Sequence, residues 1–139
     1  AVVDTLEESV MITDATPGVT DPRILYVNPA FTQLTGYTVE EAVQQTPKLL
    51  PGRWTERNVL QTLKSELESR QQWKGRTYNY TKSGQPFMME WEIVPIYDTR
   101  GALRFYLTIQ RRADGESRMS GRREASLHRW GERARRLSA

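Results

Sequence analysis

The sequence contains no cysteine and a single histidine, His128. Without cysteine, disulfides, zinc–thiolate sites, iron–sulfur clusters and a cysteine nucleophile are all excluded. Long apolar runs are missing as well, and no stretch approaches the roughly 20 residues of a membrane-spanning helix. The N-terminus shows no signal-peptide pattern, so a cytoplasmic location is expected. The chain opens on Ala1, not Met, which fits a piece of a longer parent protein. The net charge of +3 is small, and as an average it misleads. Residues 1–110 carry 11 basic and 13 acidic side chains, whereas residues 111–139 carry nine arginines against Asp114, Glu116, Glu124 and Glu132. The basic character therefore belongs to the tail and says little about the globular part.

The 139 residues allow one domain of about 110 residues plus a tail. VMITDA alternates like a strand, and the turn-rich TPGVTDP leads to a second strand, RILYVN. Asn28 is a good helix N-cap, and Pro29 suits the first helical position. Phe31 and Leu34 share a face of that helix, and Gly36 can end it in the left-handed conformation. Thr38 and Glu41 form a capping box for another short helix, which TPKLLPG breaks. From about Thr55 to Gln71 the period is helical, with Val59, Leu60, Leu63 and Leu67 on one face. The period then changes to two. WKGRTYNYT, PFMMEWEIVPIYD and ALRFYLTIQ read as three strands joined by hairpin turns at KSGQ and DTRG. Strands at both ends with helices between them predict an α+β domain, an antiparallel five-stranded sheet with helices on one face.

The last strand needs cover on both sides. Leu103, Phe105, Leu107 and Ile109 lie on one face; Arg104, Tyr106, Thr108 and Gln110 lie on the other. The mixed face can line an interior pocket under the helices. The apolar face then needs a flanking helix or a second subunit, so a homodimer is one expectation. In the tail, Leu127, Trp130, Ala134 and Leu137 follow a 3–4–3 spacing, a short coiled-coil-like stripe weakened by Gly131.

These strings resemble the PAS family over residues 7 to 112. LEESVMITDA is similar to its opening strand, and ILYVNPAFTQLTGYTVEE to its second strand and first helices. WKGRTYNYTKSGQPFMMEWEIVPIYDTRGALRFYLTIQRR is similar to its final three strands. The resemblance implies a PAS sensory domain over 1–112, with a basic tail over 113–139 as a partly helical linker or cap. It also implies an effector in the parent protein, such as a histidine kinase or a cyclic-dinucleotide enzyme, since neither catalytic signature is present.

Within the family the chain is most similar to the flavin-binding light-oxygen-voltage branch and its redox-sensing relatives, which implies FAD or FMN. The photochemistry of that branch needs a cysteine within a string like GRNCRFLQG. The matching stretch is QQTPKLLPG, with Pro47 in the cysteine's place, so a cysteinyl–flavin bond is impossible. Lys48 matches a phosphate-binding arginine, while Thr46 and Pro51 replace polar ligand contacts. Asn79 matches one ring-edge asparagine and Gln110 the strand-end glutamine. A primary amide both donates and accepts, as a flavin's pyrimidine edge requires. Met89 stands where a second asparagine would be, and Trp91 should point the same way. With Thr108 these residues make up the implied site. Haem domains of the family carry an axial histidine on the long helix; residues 55–71 have none, which argues against haem.

Plainer readings stand beside these. Asn79 and Gln110 can be core amides bonded to backbone or water, and Met89 and Trp91 can be ordinary packing, with Phe87 helping to fill the space. That alternative makes the domain a ligand-free dimerisation module. Glu90 and Glu92 share a strand face opposite the pocket, where a solvated or interface role is a better reading than acid–base work. Ser117, Ser120 and Ser126 near His128 have no acidic orienting partner, so no hydrolase triad is assigned. A third alternative is nucleic-acid binding through the tail. Its interspersed acids and lack of a recognised motif favour a solvated helix or linker instead. No metal site and no enzyme signature emerge.

Overall fold

The computed structural model describes residues 8–15, 22–47, 50, 52, 55–68, 72–113 and 130–136. Strands β1 (Ser9–Asp14), β2 (Ile24–Val27), β3 (Trp73–Tyr80), β4 (Pro86–Tyr97) and β5 (Leu103–Arg112) form one sheet. Its spatial order is β2-β1-β5-β4-β3, and every pairing is antiparallel. Helices α1 (Pro29–Thr35), α2 (Val39–Ala42) and α3 (Arg57–Glu68) pack against β1, β2 and β3 respectively. A further helix, α4, spans 130–136.

The local signals act where they stand in the chain. Asn28 caps α1, its side chain accepting from the Phe31 N–H, and Pro29 takes the first turn. Gly36 ends α1 at φ 84°, a conformation that costs glycine nothing. Thr38 and Glu41 complete a reciprocal capping box on α2. Asp98 organises the β4–β5 turn, its Oδ1 accepting from the N–H groups of Arg100 at 2.9 Å and Ala102 at 3.0 Å. The Ala102 N–H above all holds the Asp98 carboxyl below its ordinary value.

Alternation along the strands sorts side chains into two layers. The inner one, under the helices, joins Met11, Phe31, Trp73, Met89, Trp91 and Ile93 among others. The outer one joins Val10, Ile12, Ile96, Phe105, Leu107 and Ile109 with Trp130 and Ala134 of α4. The apolar face of β5 is thus covered by the chain's own C-terminal helix. Leu103 is also buried, while Leu127 and Leu137 of the stripe lie outside the described residues.

Glu90 and Glu92, read from the sequence as solvated or interface carboxylates, do lie opposite the inner layer, where Glu92 is only 8% exposed and Glu90 is half-buried. Cross-strand register explains this. Glu90 lies opposite Arg76 and Arg111, and Glu92 lies opposite Lys74 and Ile109. Glu90 pairs with Arg111, and Glu92 Oε1 accepts from Gln72 Nε2 at 3.0 Å.

Glu41 supplies a pH-dependent contact. It pairs with Lys82, and this bond, followed by the Thr38 N–H, holds its carboxyl below the ordinary value of 4.5. A depressed carboxylate stabilises the fold above its unfolded pKa, and that contribution is lost as pH falls through the lower folded value. Thermal unfolding of Glu41→Gln should therefore track the parent protein at pH 3 more closely than at pH 7. An equal gap at both pH values would remove Glu41 from the acid response.

Candidate functional site

Between the inner sheet face and the helices lies a cavity of about 180 Å³. Its floor is set by strand register. On β5, Thr108 lies opposite Met11 of β1 and Ile93 of β4, while Gln110 lies opposite Ser9 and Trp91. Tyr106, Thr108 and Gln110 therefore reach the cavity together with Met11, Thr13, Met89, Trp91 and Ile93, and Asn79 joins them from β3. Pro22, Pro47, Leu50 and Leu63 close the helical side.

Among the described lining residues none is charged. A low-dielectric, uncharged chamber penalises an ionic group, so the portion of any ligand inside it must be neutral. Polarity enters through side chains from three strands. Gln110, 2% exposed, accepts at Oε1 from Ser9 Oγ at 3.0 Å. Asn79, 4% exposed, donates from Nδ2 to Met89 Sδ at 3.0 Å. Its Oδ1 is buried without a hydrogen-bond partner. Such an orphaned acceptor costs roughly 1–3 kcal/mol, a cost that a ligand donor would relieve. Thr13 and Thr108, both buried, add hydroxyl groups.

Trp91 is held by a neighbour. Its ring packs on Trp73 with centroids 4.9 Å apart and planes inclined by 51°. Gly75, opposite Trp91 on β3, makes room for this pair. A Cβ there would stand 2.3 Å from the Trp73 ring.

Five of the seven ligand-contact residues expected from sequence thus meet in the cavity: Asn79, Gln110, Met89, Trp91 and Thr108. Thr46 is half-buried and is not among the described lining residues, whereas its neighbour Pro47 is. Lys48 and Pro51 lie outside the described residues. The proposal that Trp91, Met89 and Phe87 fill the space is corrected: Phe87 is buried but does not reach the cavity, which stays open beside the other two. Sequence reasoning did not single out Met11 or Thr13, and it placed Leu63 on the apolar face of the long helix without assigning it to the site. The alternation of β1 could have marked Met11 and Thr13 as one face, but their position beside Thr108 depends on the pairing of the first strand with the last.

The family model described as PAS domain matches residues 7–111. A nitrogen fixation regulatory protein of Klebsiella oxytoca is 36% identical over 94 residues, covering 66% of this chain and 19% of that protein. A blue-light-activated histidine kinase of Brucella anthropi is 32% identical over 94 residues, covering 68% of this chain and 19% of the kinase. The chain therefore spans about a fifth of the length of these relatives. A solved light-oxygen-voltage domain studied with a flavin analogue superposes with a TM-score of 0.73. Identity is 23%, and the match covers 92% of this chain and 91% of that one. At that identity the likeness is one of fold.

Proposed function

The chain belongs to the PAS domain family, and we propose that it is a sensory module whose cavity takes the uncharged ring of a small ligand, with FAD or FMN as the first candidate. The observation that carries this reading is the Asn79 carbonyl, buried and unpartnered in a cavity it shares with Gln110. An orphaned acceptor beside a second amide suits a ring edge bearing both N–H and C=O groups. The donor set therefore fits a flavin.

The cavity's size adds a requirement. At about 180 Å³ it is comparable to the roughly 150 Å³ void that accepts one benzene. A three-ring system is larger than one benzene and needs more room than this void holds. When bound, a flavin supplies reversible electron acceptance. Asn79 and Gln110 would hold its ring edge, Trp91 would offer an aromatic face, and Lys48 is the residue for a phosphate. Pro47 lines the cavity and the chain has no cysteine, so a cysteinyl–flavin bond cannot form there.

The output route follows from β5. Thr108 and Gln110 face the cavity, while Leu107 and Ile109, their neighbours along the strand, pack in the layer that contains Trp130. A ligand-dependent shift in the strand therefore reaches α4. We assign catalysis to an effector elsewhere in the parent protein, a histidine kinase or a cyclic-dinucleotide enzyme, acting as a cytoplasmic homodimer. Among the described residues, no helix is long and apolar enough to cross a membrane.

The test is an absorption spectrum of the purified protein, followed by mass analysis of any released chromophore. A yellow protein releasing FAD or FMN is expected. Gln110→Leu should then retain roughly tenfold less flavin, the consequence of losing one buried hydrogen bond. A colourless protein that does not take up added FMN or FAD would leave the ligand-free dimerisation module as the better reading.

A further inference from the structure

We propose that Met89 fixes the hydrogen-bonding polarity of the cavity, and thereby restricts it to ligands that present an N–H or O–H donor to Asn79. This rests on reading the cavity as a ligand site. In β3–β4 register, Asn79 lies opposite Phe87, and Met89 lies opposite Thr77 two residues away. The two side chains are thus diagonal neighbours on one face, close enough to interact. Asn79 Nδ2 donates to Met89 Sδ at 3.0 Å.

The chemistry of the pair is asymmetric. A primary amide has nearly the same shape either way round and can turn its oxygen or its nitrogen to a neighbour. A thioether sulfur has lone pairs and no proton, so it can only accept. Beside Met89 the amide therefore has one favourable orientation, with nitrogen toward sulfur. Its oxygen is then committed to the other direction, and that oxygen is the buried atom without a partner. Another amide at position 89 could donate or accept and would leave Asn79 free to face either way.

Gln110 is not constrained in the same manner. Its partner is the Ser9 hydroxyl, which can donate or accept. The cavity therefore combines a locked acceptor at Asn79 with an adaptable amide at Gln110, and no charge among the described lining residues. The ligand class this selects is a neutral heterocycle with an imide or lactam N–H on the edge that meets Asn79. A ring of similar shape whose nitrogen is alkylated leaves the Asn79 oxygen unpaired and is rejected.

Two measurements on the full chain test this. In the first, the side-chain amide resonances of Asn79 are recorded by ¹⁵N NMR in the parent protein and in Met89→Leu, a swap close in volume. Removal of the sulfur should move the Asn79 amide signals while the rest of the spectrum stays dispersed. Unmoved signals would overturn the proposal. In the second, riboflavin and 3-methylriboflavin are titrated by fluorescence. The parent protein should prefer riboflavin by roughly ten- to a hundredfold, the penalty for one buried polar group left unpaired. Met89→Leu should narrow that preference, because Asn79 is then free to turn its NH₂ toward the carbonyl groups of the methylated ring edge. Equal loss of both ligands would reduce Met89 to a packing residue and sink the idea. If riboflavin fails to bind the parent protein, the flavin reading falls, while the NMR measurement still decides the role of Met89.

Discussion

Trp130→Ala should lower the unfolding free energy by roughly 3–5 kcal/mol, the usual cost of truncating a buried tryptophan. Trp130 is 1% exposed and sits in the outer layer with Val10, Ile12, Ile96, Phe105, Leu107 and Ile109. Its ring lies 5.7 Å from that of Tyr26, and the Arg133 guanidinium stands 4.3 Å above it. Beyond the lost contacts, truncation uncovers the apolar face of the central strands. Urea unfolding with an unchanged m-value is the measurement, since a changed slope would signal a different denatured or native compactness. Trp130→Phe provides the control. The indole Nε1 is buried without a partner, so replacing it removes an unsatisfied donor while keeping an aromatic ring. That variant should recover most of the loss. A loss below about 1 kcal/mol for Trp130→Ala, as for a surface substitution, would mean that α4 does not cover the sheet in solution.

Asn28→Ala should cost about 3 kcal/mol, more than the roughly 1 kcal/mol of an ordinary helix cap. Asn28 is fully buried and links three segments. Its Oδ1 accepts from the N–H groups of Val10 at 2.9 Å and Phe31 at 3.1 Å, and its Nδ2 donates to the Glu8 carbonyl at 2.7 Å. Alanine removes the partners of the Val10 N–H and the Glu8 carbonyl at the start of β1, whereas the Phe31 N–H keeps the backbone carbonyl of residue 28 at 3.0 Å. Each buried backbone group so stranded adds roughly 1–3 kcal/mol, partly relieved by water where the site is accessible. Asn28→Asp separates the two roles, because it keeps the acceptor and loses the donor to Glu8. It should lie between the parent protein and the alanine variant. If Asn28→Ala cost no more than a simple cap, the bond to β1 would carry no net stability.

The two predictions bear on signalling as well as on stability. Ser9, which bonds to Gln110 in the cavity, follows immediately after Glu8, whose carbonyl Asn28 holds. Trp130 covers the opposite face of the strand that carries Gln110. The cavity is therefore in contact, through one or two residues, with the N-terminal start of the sheet and with the C-terminal helix.

Much of this architecture is legible in the sequence because its causes are local. Asn28-Pro29, Gly36 and Thr38–Glu41 mark helix ends through groups only a few residues apart, and all act at those places. The alternation of Leu103 to Gln110 fixes two faces in need of cover, because strand side chains point to opposite sides with a period of two. Likeness to the PAS strings pointed to Asn79, Gln110, Met89, Trp91 and Thr108, which do share one cavity. What only the tertiary structure decided depends on partners far apart in the chain. Ser9 meets Gln110 across 101 positions because the first and last strands pair at the centre of the sheet. Glu92 is buried because Lys74 and Ile109 flank it in register, which its own neighbours in sequence cannot reveal. The choice of cover for the outer face was also non-local: an apolar strand face requires a partner but does not specify one, and here Trp130 and Ala134 of the same chain supply it. Finally, the orientation of the Asn79 amide follows from the sulfur of Met89, a contact that exists only once β3 and β4 are in register.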